Sequence, residues 1–266
     1  MMQWIDLLAA PLLALLTLAA AGGFFAHEYL RLPLRPVRAV ARPHAVWLLL
    51  ALVAAVMLAS MAWSLSTDPD GASSAWCAQC VNWHAWDRQV QQWMTGHWPA
   101  AWMPLVVAFT QLGHLMLMAA IGAAVLLGLL WRRAWLLAGA WALGVAGVGL
   151  WVRLIKTTVE RARPDASWVL EQGFSFPSGH SAGTLVMYGF LAWMLCQVWR
   201  PGHRSAAVPI AVGTVLIVLG VGASRVLLGV HYASDVLAGW LLGLAWGSAV
   251  LWALEAACWS AAHCRQ

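Results

Sequence analysis

The sequence has few charged residues. Asp, Glu, Lys and Arg make up 9% of its 266 residues, whereas hydrophobic residues make up 62%. Soluble domains carry roughly 25% charged and about 45–50% apolar residues, so this composition excludes a water-soluble fold. Several apolar runs reach the ~18 residues that a membrane span needs. The 20 Trp residues fit this class as well, because Trp collects at the membrane–water boundary. We therefore predict an all-α, polytopic membrane helix bundle.

Cysteine is also scarce, with five in the chain. Cys77 and Cys80 are separated by two residues, but Val81 follows where a haem-attachment motif needs His. No convincing fourth ligand completes a zinc site with His84, so the two cysteines are either ordinary thiols or a local disulfide. The first residues also lack the basic segment of a secretory signal peptide. We therefore interpret 5–25 as a retained span.

Seven apolar segments are candidate spans, and with this number the clustered basic residues fall on one side. The positive-inside rule makes that side cytoplasmic. Most of the remaining basic residues lie between Arg153 and Arg225, on the outer side, where topology does not require them. The basic excess is thus mainly a topology signal and gives no reason to expect a nucleic-acid partner. The segments are 5–25, 45–65, 104–130, 134–153, 181–199, 207–224 and 236–258, and the cytoplasmic basic residues are Arg31, Arg35, Arg38, Arg42, Arg132, Arg133, Arg200, Arg204 and Arg265.

The outer loop 66–103 contains a short predicted amphipathic helix. Asn82 can cap a helix that ends near Thr95. Trp and Val residues recur at helical spacing on one side, whereas Asp87 and Arg88 lie mostly on the other. We interpret this segment as a helix on the membrane surface, either an anchor or a guide for a lipid headgroup.

Three motif segments lie at the outer ends of the predicted spans. Charged groups are costly at the membrane boundary, so their presence there indicates function. Lys156 and Arg163 are seven residues apart and would project from one face if their helix continued to Pro164. Together with Arg225 they provide three cations for the oxygens of a phosphate. The segments are Lys156-x6-Arg163-Pro164, Pro177-Ser178-Gly179-His180 and Ser224-Arg225-x5-His231-x3-Asp235.

The other motif residues suit anion binding and proton transfer. Ser178 and Gly179 begin a predicted helix, where free N–H groups favour an anion and Gly permits close approach. His231 and Asp235 share a helix face, so the carboxylate can hold one ring nitrogen while the other attacks phosphorus. His180 is then available to protonate the leaving oxygen. Three glycines continue the face of His231 and predict close helix packing: Gly239, Gly243 and Gly247.

Two further groups of polar residues have open interpretations. Thr110, Gln111 and His114 interrupt the third span and would either pair with another helix or line a headgroup pocket. The charges that surround the first motif are interpreted as structural or steering groups, and Glu160 is placed to pair with Lys156. These charges are Arg153, Glu160, Arg161 and Asp165.

The three motifs resemble the full signature of the type 2 phosphatidic acid phosphatase superfamily. Its members include bacterial lipid and undecaprenyl-pyrophosphate phosphatases, and it shares its site with vanadium haloperoxidases. The resemblance covers approximately 104–257 and implies cofactor-free, metal-independent dephosphorylation through a phosphohistidine on His231. It implies that Asp235 orients His231 and that His180 is the acid/base. The implied phosphate-binding residues are Lys156, Arg163, Ser178, Gly179 and Arg225.

Many members of this superfamily have six core spans, so the resemblance implies that the first span here is an addition. We expect N-terminal spans in 1–65, the outer loop in 66–103, the phosphatase core in 104–258 and a cytoplasmic tail in 259–266.

The expected function is phosphate removal from a lipid at the periplasmic side of a bacterial inner membrane. The candidate substrates are undecaprenyl pyrophosphate, phosphatidate and phosphatidylglycerophosphate. One alternative is a lipid phosphotransferase that uses the same phosphohistidine, and another is a non-catalytic lipid-binding or transport protein. No carboxylate cluster suited to Mg²⁺ is apparent at the outer face, so no metal partner is expected.

Overall fold

The computed structural model describes residues 45–67, 82–165, 167–199 and 204–263. Two short 3₁₀ turns, Ala100–Trp102 and Gln111–Gly113, precede the third and fourth α-helices. The predicted first span 5–25 and the Cys77–Cys80 pair lie outside the described residues. The helices are α1 (Ala45–Thr67), α2 (Trp83–His97), α3 (Met103–Thr110), α4 (Leu115–Trp131), α5 (Trp135–Val159), α6 (Gly179–Trp199), α7 (Arg204–Leu227) and α8 (Ala233–His263).

Five segments of the described chain are long and apolar enough to cross a membrane, and each corresponds to a predicted span. Of the two other predicted spans, 5–25 lies outside the described residues, and 181–199 is the 21-residue helix α6. The protein is therefore an integral membrane helix bundle, which confirms the predicted fold class. The five segments are Ala45–Ser66, Ala100–Trp131, Trp135–Val159, Ala207–Leu227 and Ala233–Cys258.

Helices α6 and α8 occupy the middle of the bundle. Helix α6 contacts α4, α5, α7 and α8, and α8 also contacts α1, α2 and α5. Phe190 of α6 and Trp141 of α5 are buried together with their rings in an edge-to-face arrangement. By contrast, large apolar side chains such as Val56 and Leu216 are exposed on α1 and α7. This distribution suits a bundle whose outer surface faces lipid.

Glycines on α8 allow α6 to approach closely. A Cβ atom on Gly239 would lie 2.5 Å from the Ser178 carbonyl oxygen, and one on Gly243 would lie 2.9 Å from that of Ala182. The predicted packing role is confirmed at both glycines, whereas a Cβ on Gly247 would make only an ordinary contact at 3.7 Å. The N-terminal turn of α6 is therefore held directly against the N-terminal part of α8.

The third predicted span is interrupted near its polar residues. Helix α3 ends at Thr110, a 3₁₀ turn follows, and α4 begins after His114, whose backbone is extended. A Cβ atom on Gly113 would lie 2.7 Å from Val221 Cγ1 and 3.0 Å from His180 Cδ2. The break therefore brings this segment against α7 and the first turn of α6.

Helix α5 ends earlier than the motif spacing suggested. It ends at Val159, and Glu160 adopts the left-handed conformation with φ 50°. The Glu160 N–H caps the helix by donating to the Lys156 carbonyl oxygen at 3.0 Å. The prediction that Lys156 and Arg163 share one helix face is therefore wrong, because Arg163 lies in the irregular segment that leads to Pro164.

Candidate active site

The three motif segments meet at one end of the bundle. His231 lies in the turn between α7 and α8, next to the start of α6. The Ser178 N–H donates to the Asp235 carbonyl oxygen at 2.9 Å, and Arg163 Nη1 donates to the Val230 carbonyl oxygen at 2.7 Å. The predicted convergence of the segments is thus observed.

Lys156 and Arg163 are brought together by the loop before α6 rather than by a common helix. Lys156 Nζ donates to the carbonyl oxygens of Phe174 and Ser175. Arg163 Nε donates to the Gly173 carbonyl oxygen at 3.0 Å. The predicted ion pair between Lys156 and Glu160 is not formed in the described structure, because Glu160 is exposed at the end of its helix.

Arg163 and Arg225 converge on a single carboxylate. Arg225 is buried, with 2% of its side chain exposed, and its Nη2 pairs with Glu171. Arg163 Nη1 contacts the other carboxylate oxygen of Glu171 at 3.2 Å. Arg225 Nη1 donates to Thr110 Oγ1 at 3.1 Å, whereas its buried Nε has no hydrogen-bond partner among the described residues. Two guanidinium groups and an unused N–H thus form a site suited to an anion.

His231 lies between a carboxylate and this cationic site. Its Nδ1 is 3.4 Å from Asp235 Oδ2, and its Nε2 is 3.3 Å from Arg163 Nη1. Asp235 Oδ2 also accepts from the Tyr232 N–H at 2.9 Å. Burial lowers the pKa of His231 to about 4, although Asp235 acts in the opposite direction. The imidazole is therefore neutral at pH 7, and the nitrogen that faces the cations can act as a nucleophile.

The first turn of α6 contributes the second histidine and the serine. Ser178 Oγ accepts from Ser181 Oγ at 3.1 Å, which leaves its own proton to donate. Gly179 and His180 are the first residues of α6, so their N–H groups have no partner within the helix. The His180 ring is 6.5 Å from the His114 ring, measured between centroids. This turn therefore offers hydrogen-bond donors and a proton-transfer group beside the His231–Asp235 pair.

Thr110 resolves one of the open interpretations. It is buried at the end of α3, and its hydroxyl accepts from Arg225 of α7. The expected pairing with another helix is thus confirmed for Thr110, and the helix concerned carries a candidate phosphate-binding residue. Glu171, which bridges Arg163 and Arg225, gave no signal in the sequence, because it lies in an irregular loop outside the motifs.

The predicted position of Asp87 on the polar side of helix α2, opposite the Trp and Val residues, is wrong. The capped helix is confirmed, with Asn82 Oδ1 accepting from the Ala85 N–H at 2.9 Å, although it extends to His97. Asp87, however, is buried, with 1% exposed, and its carboxylate binds Arg161 and Ser234. A signal was present, because Asp87 follows Trp83 by four residues and shares its helix face.

The model of the PAP2 superfamily matches residues 133–258, which contain all three motifs. This region of the chain is thus similar to the PAP2 superfamily. This match confirms the resemblance seen in the motifs.

Curated relatives of this chain are named as phosphatases. Phosphatidylglycerophosphatase B of Bacillus subtilis (strain 168) is 41% identical over 95 residues, which is 35% of this chain and 45% of the relative. Decaprenylphosphoryl-5-phosphoribose phosphatase of Mycobacterium tuberculosis is 34% identical over 124 residues, 45% of this chain and 60% of the relative. Lipid A 1-phosphatase of Rhizobium johnstonii is 38% identical over 111 residues, 38% of this chain and 40% of the relative. The matches thus span about half the length of these relatives.

A solved structure supports the fold. The crystal structure of a transmembrane PAP2 type phosphatidylglycerolphosphate phosphatase from Bacillus subtilis superimposes with a TM-score of 0.64 at 24% identity. The alignment covers 75% of this chain and 93% of that chain. The helical arrangement described above is therefore the one found in a known transmembrane PAP2 protein.

Proposed function

We propose that this protein is a membrane-embedded phosphohydrolase that removes phosphate from a lipid phosphate or lipid pyrophosphate through a phosphohistidine on His231. The observation that carries the proposal is the placement of His231. One ring nitrogen is 3.4 Å from the Asp235 carboxylate, and the other is 3.3 Å from the Arg163 guanidinium, at the edge of the cationic site. A nucleophile, an orienting carboxylate and anion-binding groups are thus adjacent, as nucleophilic catalysis requires.

The first step transfers the phosphoryl group to the protein. His231 Nε2 attacks phosphorus, and the bond between phosphorus and the leaving oxygen of the lipid breaks. Asp235 balances the positive charge that develops on the imidazole. His180, which holds a second ring proton while the phosphate dianion lies beside it, donates that proton to the leaving oxygen, so the lipid departs as a neutral alcohol or as a lipid monophosphate.

The second step regenerates the enzyme. His180, now without its proton, takes a proton from water while the water oxygen attacks phosphorus. The bond from phosphorus to His231 Nε2 breaks, and inorganic phosphate is released. Lys156, Arg163 and Arg225 stabilise the charge on the phosphoryl oxygens in both steps, with Ser178 and Gly179 as hydrogen-bond donors. These three cations supply the charge stabilisation without a metal ion.

The position of the site supports the proposed substrate class. The motifs lie at the ends of membrane-crossing helices, where an amphiphilic phosphate can place its headgroup among the cations and its chains in the bilayer. The relatives are named for a phosphatidylglycerophosphate, a polyprenyl phosphosugar and lipid A. Phosphatidylglycerophosphate, phosphatidate and undecaprenyl pyrophosphate are our candidate substrates, at the periplasmic side of a bacterial inner membrane.

A phosphate-release panel tests this function. The full chain, purified in detergent, is incubated with each of the three lipids in EDTA, without an added lipid acceptor. We expect release of inorganic phosphate from at least one lipid, and loss of that release in His231→Ala with an unchanged elution profile. Removal of a catalytic nucleophile can lower turnover by on the order of 10⁶-fold.

The matched control is Arg88→Gln, which removes an exposed charge on α2 outside the candidate site. Undiminished hydrolysis by His231→Ala would overturn the nucleophile assignment. Activity that is lost in EDTA and restored by Mg²⁺ would overturn metal independence.

A further inference from the structure

A network of buried charged groups links helix α2 to His231. Asp87 of α2 pairs with Arg161 at 2.7 Å, and Arg161 pairs with Asp235 at 2.7 Å. Asp235 in turn contacts His231 Nδ1. The exposed side-chain fractions are 1% for Asp87, 8% for Arg161 and 0% for Asp235, so water contributes little to holding these charges.

Both terminal nitrogens of the Arg161 guanidinium donate hydrogen bonds in this network. Nη1 donates to Asp235 Oδ1 and to Ser234 Oγ, both at 2.7 Å, while Nη2 donates to Asp87 Oδ2. The group also lies over the Tyr232 ring, 4.2 Å from its centroid. Burial acts against the charge of Arg161, yet the carboxylates of Asp235 and Asp87 raise its pKa above the ordinary value. Arg161 is therefore a fixed cation with a defined orientation.

The two oxygens of Asp235 have different partners because of Arg161. Oδ1 accepts from Arg161, which leaves Oδ2 for the His231 ring and the Tyr232 N–H. Without the guanidinium, the carboxylate could rotate and lose this alignment. Small displacements of reacting groups can cost about 100-fold in rate.

Asp87 completes the arrangement from a separate helix. Its Oδ1 accepts from the Ser234 N–H at 2.9 Å, and its Oδ2 accepts from Arg161 and from Ser234 Oγ. Asp87 thus shares the cation of Arg161 with Asp235, and the Asp235 carboxylate keeps more of its negative charge for His231. It also fixes the first turn of α8, which carries Ser234 and Asp235.

We propose that Asp87 and Arg161 are positioning residues that align and charge-balance the Asp235–His231 pair, so that turnover requires α2 to be docked on the active site. This inference rests on the proposed function and adds to it. Neither residue has a described contact with Lys156 or Arg225, so their effect falls on the nucleophile rather than on phosphate binding.

Two substitutions distinguish the contribution of charge in this network from that of hydrogen-bond geometry. Asp87→Asn keeps an oxygen for the Ser234 N–H but removes the negative charge. Arg161→Lys keeps the positive charge but loses the two-armed contact with both carboxylates. We expect each to lower kcat by about 10- to 100-fold, while KM and the inhibition constant of inorganic phosphate stay within about threefold of the wild type.

A merely structural role for Asp87 is distinguished by two controls. Arg88→Gln changes the charge of the next residue on α2, and we expect wild-type kcat. Trp83→Ala removes a side chain that packs α2 on the core, and it reports how kcat responds to loosening of the helix alone. The proposal requires a larger decrease in kcat for Asp87→Asn than for Trp83→Ala when the two variants show the same decrease in melting temperature.

Different results would overturn the positioning role of Asp87 and Arg161 and the proposed function. If kcat of Asp87→Asn stays within about threefold of wild type, or falls only in step with the melting temperature as in Trp83→Ala, the inference is overturned. A parallel weakening of phosphate inhibition would also overturn it, because the phosphate-binding residues would then be affected. If the wild type releases no phosphate from any lipid, or His231→Ala remains active, the proposed function fails instead.

Discussion

Residue by residue, the cationic site already holds an anion from its own chain. The Glu171 carboxylate contacts both Arg163 and Arg225. A phosphate that binds these guanidinium groups must displace Glu171. We therefore expect the Glu171 side chain, which is 27% exposed, to compete with the substrate phosphate and to move outward when the headgroup binds.

Glu171→Gln tests this competition. The amide keeps the size of the side chain but loses the charge, so phosphate displaces it more readily. We expect the inhibition constant of inorganic phosphate and the KM for the lipid to decrease by roughly tenfold, the equivalent of about 1.4 kcal/mol. Phosphate inhibition of lipid hydrolysis measures this directly.

Asp165→Asn is the matched control for Glu171→Gln. It makes the same charge change on an exposed side chain of the same loop, so we expect little effect on phosphate inhibition. A weaker affinity for phosphate in Glu171→Gln would contradict the competition and would indicate that Glu171 organises the guanidinium groups for the substrate.

At the scale of helices, the contact between α6 and α8 places Ser178 beside Asp235. The absence of a side chain at Gly239 permits this contact, because an added Cβ atom would lie 2.5 Å from the Ser178 carbonyl oxygen. The hydrogen bond from the Ser178 N–H to the Asp235 carbonyl oxygen crosses the same contact. The spacing of two motifs therefore depends on one glycine.

Gly239→Ala is expected to separate these helices. Forced overpacking costs typically about 1–3 kcal/mol, so we expect a lower melting temperature and a lower kcat. Gly189→Ala is the control, because an added Cβ atom on Gly189 of α6 meets no atom within 4 Å. Melting curves and phosphate release measure both effects. An unchanged melting temperature for Gly239→Ala would contradict the proposed close contact.

The sequence predicted those parts of the site that depend on local spacing. His231 and Asp235 are four residues apart, so their pairing follows from the turn that opens α8. The end of α5 was not predicted, because nothing before Pro164 indicated that Glu160 would adopt a left-handed conformation. The pairing of Asp87 with Arg161 joins residues 74 positions apart. Such contacts depend on how the helices pack, which periodicity alone does not specify.

For the molecule as a whole, the described helices form a bundle in which the three motif segments meet at one end. The lipid-facing surfaces of α1 and α7 are apolar, whereas the motif residues gather where α5, α6, α7 and α8 begin or end. In the proposed function, a bilayer-embedded substrate reaches the cationic motif residues through its headgroup alone.

The most direct test of the account is to identify the phosphorylated residue during turnover. Each turnover passes through this phosphoenzyme, so a fraction of the wild type is phosphorylated while substrate is present. The purified protein is mixed with the active lipid and quenched rapidly in base, where phosphohistidine survives, and its peptides are examined by mass spectrometry. We predict one phosphoryl group on His231, absent from His231→Ala. A phosphoryl group on another residue, or turnover with none on His231, would contradict the account.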